Sequence, residues 1–354
     1  MKIVKDKIID DLKKIIKPPK KLIFINILIL LLVGFIGTSV GAVNIPASEI
    51  IKYLVNLLRL DNEVGFETEL NEAIIIYWRL PRLVLAMLVG ASLAVAGAGY
   101  QGVFKNPLAD PFLLGSAAGA GLGASIFIIF KYDLSFYIFD TIQIAAFFGA
   151  LFSVLIASLI SRSVGGSIAS LLLAGIATAS FLTACQTFLM QKNVNSMQEI
   201  YGWLIGRLVT SGWNEVLIII PYFLIGFISI ICYSRQLDLL RFSNEEAKLL
   251  GGKPIETKIV VLISSSLITA AAVSVSGLIA FVGLVIPHVI RLLFGYSYKI
   301  IIPLSALFGA SFLCLADTFS RTIIAPGELP IGVITAFVGA PFFVFLLRFS
   351  RGSI

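Results

Sequence analysis

Few residues in this chain have the types and spacing that chemistry in a protein site requires. Only one histidine is present, His288, and the three cysteines lie in separate apolar runs: Cys185, Cys232 and Cys314. A metal or nucleophilic site needs several such groups at defined spacing. The chain also lacks a GxxxxGK(S/T) phosphate-binding sequence, because the nearest run, 251–254, contains only the glycine–lysine pair. We therefore expect no catalytic centre, no metal site and no cofactor, and an ATP-driven process would need a separate ATPase.

Two ionisable residues lie deep enough in apolar runs to matter for ion-coupled transport. Asp317 stands four residues before Arg321, a spacing that predicts an i,i+4 ion pair near one end of a helix. His288 follows Pro287 and precedes Arg291, a pattern that predicts a kinked helix with a capped or interfacial histidine. These structural interpretations are favoured for both residues. An ion-coupled secondary transporter, which would need such residues as coupling sites, is the alternative function.

The composition places the chain among membrane proteins. Its 354 residues are 58% hydrophobic and only 13% charged, and the mean hydropathy is +1.00. Soluble domains carry about 25% charged residues. The apolar runs are continuous rather than alternating, so we predict an all-α polytopic protein surrounded by membrane lipid. The net charge of +7 therefore has to be interpreted loop by loop, and it does not indicate binding to nucleic acid.

Hydropathy divides the chain into a short N-terminal segment and one transmembrane domain. Residues 1–21 form a lysine-rich segment, and 22–350 form a single transmembrane domain. A helix that crosses a hydrocarbon core needs roughly 20 apolar residues. Residues 195–210 are too short and polar to cross, and Ser48–Leu60 is predicted to be an amphipathic surface helix. Ten runs approach the required length: 22–42, 83–104, 111–130, 141–161, 168–190, 214–234, 257–276, 277–296, 300–321 and 329–348.

The distribution of lysine and arginine predicts the orientation in the membrane. With ten crossings, nineteen of the 27 basic residues fall on the side that holds both termini, and eight of these are lysines within residues 1–21. Cytoplasmic loops carry the excess of positive charge in membrane proteins. We therefore expect a multi-pass protein of the cell membrane with both termini in the cytoplasm.

The stretch from Arg79 to Pro111 combines several of these signals. Pro81 fits the first turn of a helix, so Arg79 and Arg82 lie at the helix amino end, on the external side. The helix dipole disfavours a cation there by ~0.3–1 kcal/mol, a cost that an anionic partner would offset. At the other end, Asp110 is predicted to cap the next helix with Pro111 as its first residue. Small residues spaced four apart in that helix predict close contact with a neighbouring helix: Gly115, Gly119 and Gly123.

The largest cytoplasmic loop, 235–258, contains a short helix with signals at both ends. Ser243 followed by Glu246 is a capping box, and two glycines after Leu250 predict the end of the helix. A short helix outside the membrane, with leucines on one face, is either an ordinary structured loop or a knob that fits a groove on a cytoplasmic partner. The residues assigned to this knob are Ser243, Asn244, Glu245, Glu246, Ala247, Leu249, Leu250 and Gly251.

Several motifs, in order along the chain, give it a resemblance to a known family. They are Arg79-Leu80-Pro81-Arg82, Asn106-Pro107-Leu108-Ala109-Asp110-Pro111, the 244–251 loop, Gly283-Leu284-Val285-Ile286-Pro287-His288 with Arg291, and Glu328-Leu329-Pro330-Ile331-Gly332 with Gly339-Ala340-Pro341. The chain resembles the permease subunits of ABC importers for iron-siderophores, haem and vitamin B12. The match covers about residues 22–350 and leaves out the lysine-rich N-terminal segment.

The resemblance implies an assembly and assigns roles to several residues. It implies a homodimer of ten-helix subunits with the translocation path along the dimer axis. It implies two cytoplasmic ATP-binding subunits that dock on the 243–252 loop and carry out the ATP hydrolysis, so this chain itself is not an enzyme. It also implies an extracytoplasmic substrate-binding protein held by arginines that match Arg79, Arg82 and Arg321.

The resemblance also points to a gate. In the family the inner gate lies just before a motif that matches Leu171–Gly175, which assigns Ile168 and Ala169 to that role. Family members can carry small hydroxyl residues there, and the isoleucine and alanine of this chain depart from that pattern. Siderophore, haem, corrinoid and oxyanion cargo all use similar permeases, so the sequence does not identify the cargo.

Overall fold

Every regular element in the described part of the chain is a helix, which confirms the predicted all-α class. The computed structural model describes residues 20–41, 45–52, 73–131, 140–208 and 212–350. Apart from its last two residues, the lysine-rich segment 1–21 lies outside these ranges. The predicted surface helix Ser48–Leu60 lies outside them from residue 53 onwards, and residues 47–52 are helical.

We number thirteen helices of the described residues in chain order. They are α1 (Lys20–Ser39), α2 (Leu80–Phe104), α3 (Ser116–Phe130), α4 (Thr141–Ser163), α5 (Ile168–Lys192), α6 (Met197–Leu204), α7 (Asn214–Cys232), α8 (Ser234–Leu239), α9 (Asn244–Leu249), α10 (Pro254–Ser276), α11 (Val282–Phe294), α12 (Tyr298–Thr322) and α13 (Ile331–Ser350). A π-helical segment, Ile74–Arg79, runs directly into α2, so one continuous helix of 31 residues extends from Ile74 to Phe104.

The ten predicted crossings correspond to long helices and a few shorter ones. In the described residues, seven helices are long and apolar enough to span a membrane. Shorter apolar helices occupy the remaining predicted crossings: α3, α11 and the 331–345 part of α13. The 195–210 segment contains α6, which has eight residues and is too short to cross, as predicted.

Helix α3 begins later than the sequence predicts. Its first residue is Ser116, and Gly115 before it has a φ of +81°, in the left-handed region. The Asp110 carboxylate accepts a hydrogen bond from the Phe112 N–H at 2.8 Å, which closes a turn instead of capping a helix. The prediction that Asp110 caps α3 with Pro111 as its first residue is wrong, because the left-handed Gly115 separates this turn from the helix.

Helix α2 occupies the centre of the bundle. Twenty of its 25 residues are buried, and it contacts α1, α7, α8, α10, α11 and α12. An ideal Cβ at Gly90 would lie 2.2 Å from the Gly309 carbonyl oxygen of α12. One at Gly97 would lie 1.9 Å from the Gly283 carbonyl oxygen of α11. Backbones approach this closely only where no side chain separates them, so these glycines determine which helices surround α2.

Two of the glycines spaced four apart make the predicted helix contact. An ideal Cβ at Gly119 would lie 2.2 Å from the Gly149 carbonyl oxygen of α4, and one at Gly123 would lie 2.3 Å from the Ala145 carbonyl oxygen. Helices α3 and α4 therefore pack backbone to backbone, as predicted. Gly115 lies before the helix and faces Ser153 of α4 and the backbone of α5.

Helices α5 and α13 present apolar side chains that the other described residues do not cover. On α5 these residues are more than half exposed: Leu173, Ile176, Phe181 and Phe188. On α13 they include Phe337, Val338 and Val344. Such faces contact lipid or another protein in a membrane, because water does not solvate them favourably.

We expect Gly97→Val to lower the stability of the folded protein. The valine side chain would force α2 and α11 apart, and overpacking of this kind costs about 1–3 kcal/mol. The measurement is the unfolding temperature of the purified protein in detergent. Gly202→Val is the matched control, because an ideal Cβ at Gly202 meets nothing within 4 Å. Equal unfolding temperatures for the two variants would contradict the close contact of α2 with α11.

Candidate functional site

The sequence-predicted site residues lie at the two ends of the bundle. Arg79, Arg82 and Arg321 gather at one end, which we call the arginine end. The 105–115 turn and the 235–253 loop lie together at the opposite end, which we call the loop end. Helix α2 begins at the arginine end and finishes at the loop end, so it connects the two candidate surfaces directly.

Arg82 is the centre of an ion-pair network at the arginine end. Its Nη1 and Nη2 donate to the two carboxylate oxygens of Glu328 at 2.8 and 3.0 Å. Its Nε donates to Asp317 Oδ1 at 2.9 Å. The guanidinium therefore binds Glu328 in the bidentate geometry that suits arginine best, and it joins α2 both to α12 and to the segment just before α13.

Asp317 bridges two arginines. Its second oxygen, Oδ2, accepts from Arg321 Nε at 3.0 Å, which confirms the predicted i,i+4 pair. The Asp317 side chain is only 1% exposed, so an unpaired carboxylate here would be very unfavourable. With each oxygen paired to a different guanidinium, this buried charge is compensated. Its role in the described structure is thus to hold α2 against α12.

The remaining donors of the arginines cap the carboxyl end of α1. Arg79 Nη1 donates to the Thr38 carbonyl at 2.5 Å and to the Ser39 carbonyl at 3.3 Å. Arg321 Nη2 donates to the Gly37 carbonyl at 3.1 Å. The last carbonyls of a helix lack partners and carry its negative dipole end, so cations are stabilising there. Arg79 is therefore at the unfavourable end of its own helix but at the favourable end of a neighbouring one.

The exposed member of this network is an acid, not an arginine. Arg79 is 8% exposed, and the side chains of Arg82 and Arg321 are 16% and 10% exposed. The Glu328 side chain is 39% exposed and covers the outer edge of Arg82. The structure thus brings the three predicted arginines together, but it engages each of them within this chain.

A polar cavity of about 750 Å³ also opens at the arginine end. It lies where α3 and α10 end, beside α6. Its lining includes Asp140, Glu199, Trp203, Arg207 and Glu215. In the described residues, no group of three or more His, Cys, Asp or Glu side chains could hold a metal ion. The cavity therefore offers polar and aromatic surface but no metal-ligand set.

The short helix α9 at the loop end is capped at both ends, as predicted. The Ser243 hydroxyl accepts from the Glu246 N–H at 3.2 Å, and Glu246 accepts from the Ser243 N–H at 3.0 Å. These hydrogen bonds with Ser243 hold the pKa of Glu246 below its ordinary value. At the other end, Gly252 donates to the Ala247 carbonyl at 2.7 Å and Gly251, at φ +80°, donates to the Lys248 carbonyl at 2.9 Å. This is a Schellman motif.

Helix α9 presents its leucines to the surroundings. Leu249 is 88% exposed and Leu250 is 52% exposed, whereas Ala247 between the capping residues is buried. Phe242, just before the helix, is 48% exposed. A leucine this exposed outside an apolar span is unusual, since burying it would gain about 1.5–3 kcal/mol. The surface is therefore suited to contact with a protein partner.

The loop that carries α9 is attached to three of the long helices. Lys105 Nζ, at the end of α2, donates to the Phe242 carbonyl at 2.8 Å. On the α10 side, the Tyr233 hydroxyl donates to Glu256 at 2.6 Å. On the α12 side, Asp238 accepts from the Ser297 hydroxyl at 2.9 Å. Sequence reasoning did not identify these attachments, because only the lysine and aspartate charges mark them and loops contain many such charges.

The two proposed gate residues lie side by side in the first turn of α5. Ser167 caps this helix by accepting from the Ser170 N–H at 3.0 Å. Ile168 is half-buried against a cluster that includes Tyr100 and Phe104 of α2, and Ala169 is exposed. Both residues therefore lie at the loop end, at the start of the helix whose apolar face this chain leaves uncovered.

His288 lies inside the proline-containing helix α11, as predicted, but without a capping contact. In the described residues, neither ring nitrogen of His288 has a hydrogen-bond partner. Its neighbour one turn on, Arg291, is 9% exposed and donates to Gln101 Oε1 of α2 at 3.0 Å. The sequence pattern singled out His288. In the structure, the hydrogen bond between α11 and α2 is made by Arg291 and Gln101, and Gln101 belongs to none of the sequence motifs.

Comparison with known proteins agrees with this architecture. The model of the FecCD transport family matches residues 29–349. The uncharacterized ABC transporter permease YvrB of Bacillus subtilis is 41% identical over 90% of this chain and 91% of its own. The cobalamin import system permease BtuC of Halobacterium salinarum is 40% identical over 76% of this chain and 72% of its own.

A solved structure extends the agreement to three dimensions. A protein described as a metal-chelate-type ABC transporter, in an inward-facing conformation, superposes with a TM-score of 0.79 at 28% identity. The superposition covers 93% of this chain and 99% of that one. The helices thus form a multi-pass membrane permease of the ABC importer type. The chain belongs to the FecCD transport family.

Proposed function

We propose that this protein is the non-catalytic, membrane-spanning subunit of an ATP-driven importer and that α9 is its coupling helix. The observation that carries this proposal is the doubly capped α9 with Leu249 88% exposed. Capping at both ends satisfies the backbone groups of this short helix, and the exposed leucines give it an apolar tip. A groove on a cytoplasmic ATP-binding subunit would bury that tip, and Ser243–Gly251 would then transmit its movement.

In this proposal the arginine end is extracytoplasmic and receives a substrate-binding protein. The excess of basic residues on the opposite side favours this orientation, with both termini in the cytoplasm. Arg79, Arg82 and Arg321 are the docking residues, and Arg82 is the one nearest to the surface through its contact with Glu328. An incoming carboxylate would replace Glu328 on the guanidinium, where bidentate recognition is geometrically specific.

Two copies of the chain are proposed to enclose the translocation path. The apolar faces of α5 and α13, which this chain leaves uncovered, would meet a second copy rather than lipid alone. Ile168 and Ala169 at the start of α5 would then approach their counterparts near the cytoplasmic side and form the gate. Apolar residues at a gate close it by excluding water, which suits passage of a bulky chelate without specific polar contacts.

The proposed cargo is an iron-siderophore or a related chelate such as haem or a corrinoid. One relative is named for cobalamin import, and the superposed structure is described as a metal-chelate-type transporter. The described residues hold no metal-ligand cluster of their own, which is consistent with a cargo that keeps its metal within the chelate. Specificity would then reside mainly in the binding protein.

We expect uptake by the reconstituted complex to require ATP and the ATP-binding subunits. The measurement is accumulation of labelled cobalamin, haemin or ferric citrate in liposomes that contain the permease, with and without the ATPase and its binding protein. Uptake that an ion gradient drives in liposomes without the ATPase would identify a secondary transporter instead. Of the two candidate coupling residues, Asp317 is already paired to two arginines, and His288 is the other.

We expect Leu249→Asp to abolish binding of the ATP-binding subunit while leaving the permease folded. The substitution places a charge in the apolar groove of the partner, where an unpaired charge is strongly unfavourable. The measurement is co-purification of the two subunits. Val164→Asp is the matched control, because Val164 is a 65% exposed apolar residue in the α4–α5 turn at the same end. Retention of the ATPase by the Leu249 variant would exclude α9 as the docking site.

We expect Glu328→Gln and Arg82→Gln to change docking of the binding protein in opposite directions. The first removes the carboxylate that competes within this chain for Arg82, and the second removes the guanidinium proposed to donate hydrogen bonds to the partner carboxylate. A charged hydrogen bond contributes about 1.5–3 kcal/mol, so each affinity should change by about tenfold or more. The measurement is the dissociation constant of the cognate binding protein for the permease in nanodiscs.

The control for this pair is Lys192→Gln, which removes an exposed cation at the same end of the bundle. A single exposed charge contributes little, so the dissociation constant should stay within about threefold of the parent value. Weaker docking by Glu328→Gln would show that the glutamate itself contacts the partner and that the arginines have only a structural role.

A further inference from the structure

Helix α11 has a gap in its hydrogen bonding near the middle of the bundle. Pro287 lies inside this helix and has no N–H, so it cannot bond to the carbonyl of Gly283 four residues earlier. A carbonyl left unpaired in a buried helix costs free energy. Pro287 is buried, and Gly283 lies against the α2 backbone at Gly97. The gap therefore needs a donor from within the protein.

The side chain of Gln101 on α2 supplies that donor. Its Nε2 lies 3.3 Å from the Gly283 carbonyl oxygen and 3.1 Å from the Leu284 carbonyl oxygen. Gln101 is 2% exposed, so no water competes for the amide. Three other helices contain an internal proline, namely Pro221, Pro303 and Pro341. In the part of the chain that the structure describes, no side chain donates to the carbonyl four residues before any of these three.

The other end of the Gln101 amide binds α11 a second time. Its Oε1 accepts from Arg291 Nη2 at 3.0 Å, one turn beyond the proline. One glutamine thus holds α11 on both sides of Pro287. Arg291 is 9% exposed, so Gln101 Oε1 accepts from a largely buried cation and ties α2 to α11 at this point.

Arg291 also connects this cluster to the loop end. Its guanidinium lies beside the side chain of Tyr298, the first residue of α12. The Tyr298 N–H donates to Asp238 Oδ1 at 2.9 Å, and Asp238 belongs to α8 in the loop that carries α9. Arg241, one residue before Phe242, donates to the Tyr296 carbonyl, and its guanidinium carbon lies 6.0 Å from the centroid of the Tyr298 ring. The proline gap is therefore connected through Arg291, Tyr298 and Asp238 to the loop that carries α9.

We propose that Gln101 and Arg291 are positioning residues for transport and form, with Pro287, the joint through which α9 moves α11. This inference rests on the proposed function, because it assumes that an ATP-binding subunit displaces α9. A helix without its 287-to-283 hydrogen bond bends at that point more easily than an intact one. Displacement of α8 and Tyr298 then moves Arg291, which follows Pro287 in α11. The close contact at Gly97 keeps the part of α11 that precedes Pro287 against α2.

The test measures nucleotide-driven movement of α11 in the complex of permease and ATP-binding subunits. A fluorescent bimane label at Leu293→Cys, a 63% exposed position of α11, reports on its environment after trapping with ATP and vanadate. The three native cysteines are first replaced by serine. Pro287→Ala is the main variant, because it restores the backbone N–H and closes the gap without removing a partner. Gln101→Leu removes the amide that bridges the gap.

The matched control is Gln186→Leu on α5. Gln186 is also buried, at 6% exposure, but its amide donates to the Ser125 hydroxyl at 2.9 Å and so joins α5 to α3. We expect a nucleotide-dependent fluorescence change in the parent and in this control, and a change about fivefold smaller in Pro287→Ala and Gln101→Leu. Combining Pro287→Ala with Gln101→Leu should recover part of the unfolding temperature lost in Gln101→Leu, because the backbone hydrogen bond is restored while Arg291 still lacks Gln101 Oε1. It should not recover the fluorescence change.

Either of two outcomes overturns the proposal that Gln101, Arg291 and Pro287 form this joint. One is an unchanged fluorescence response in Pro287→Ala, and the other is no nucleotide-dependent response in the parent, since α11 would then not move. A merely structural role for Gln101 predicts that Pro287→Ala restores both stability and response in the double variant. Failure of the proposed function is distinguishable, because the ATP-binding subunits would not bind the parent permease or hydrolyse ATP in the complex.

Discussion

The close packing of α2 is the constraint on which the rest of the structure depends. Glycines at 90 and 97 bring its backbone against α12 and α11, at distances that no side chain would permit. In a membrane, where lipid is as apolar as the helices, such contacts replace the hydrophobic effect as the source of helix association. Because α2 is held on these sides, its two ends have defined positions, and both candidate surfaces are built on those ends.

Electrostatics at the arginine end follow from that packing. With α12 beside α2, Asp317 reaches Arg82 across the interface as well as Arg321 on its own helix. The carboxyl end of α1 then lies within reach of Arg79. Each cation meets a carboxylate or a helix carboxyl end, so burial of several charges is tolerated. The network thus holds α1, α2 and α12 together. Glu328 is its most exposed member, so the Arg82–Glu328 ion pair is the one that a partner carboxylate could replace.

The loop end differs, because the helix there is short and capped by its own residues. Helix α9 buries Ala247 but leaves Leu249 and Leu250 exposed. Its attachments through Lys105 and Asp238 connect it to α2 and α12, the same two helices that meet at the arginine end. In the proposed importer, α2 therefore links the surface for the binding protein to the surface for the ATPase.

The sequence by itself determined the features that depend on residues close in the chain. Apolar runs specify the helices, the Ser243 to Glu246 spacing specifies the capping box, and the Asp317 to Arg321 spacing specifies an ion pair within one helix. Only the tertiary structure decided contacts such as Arg79 with Thr38 and Gln101 with Gly283, which are 41 and 182 residues apart in the chain. The physical reason is that lipid leaves every apolar face equivalent, so small residues and buried polar groups choose the helix partners, and their geometry exists only after packing.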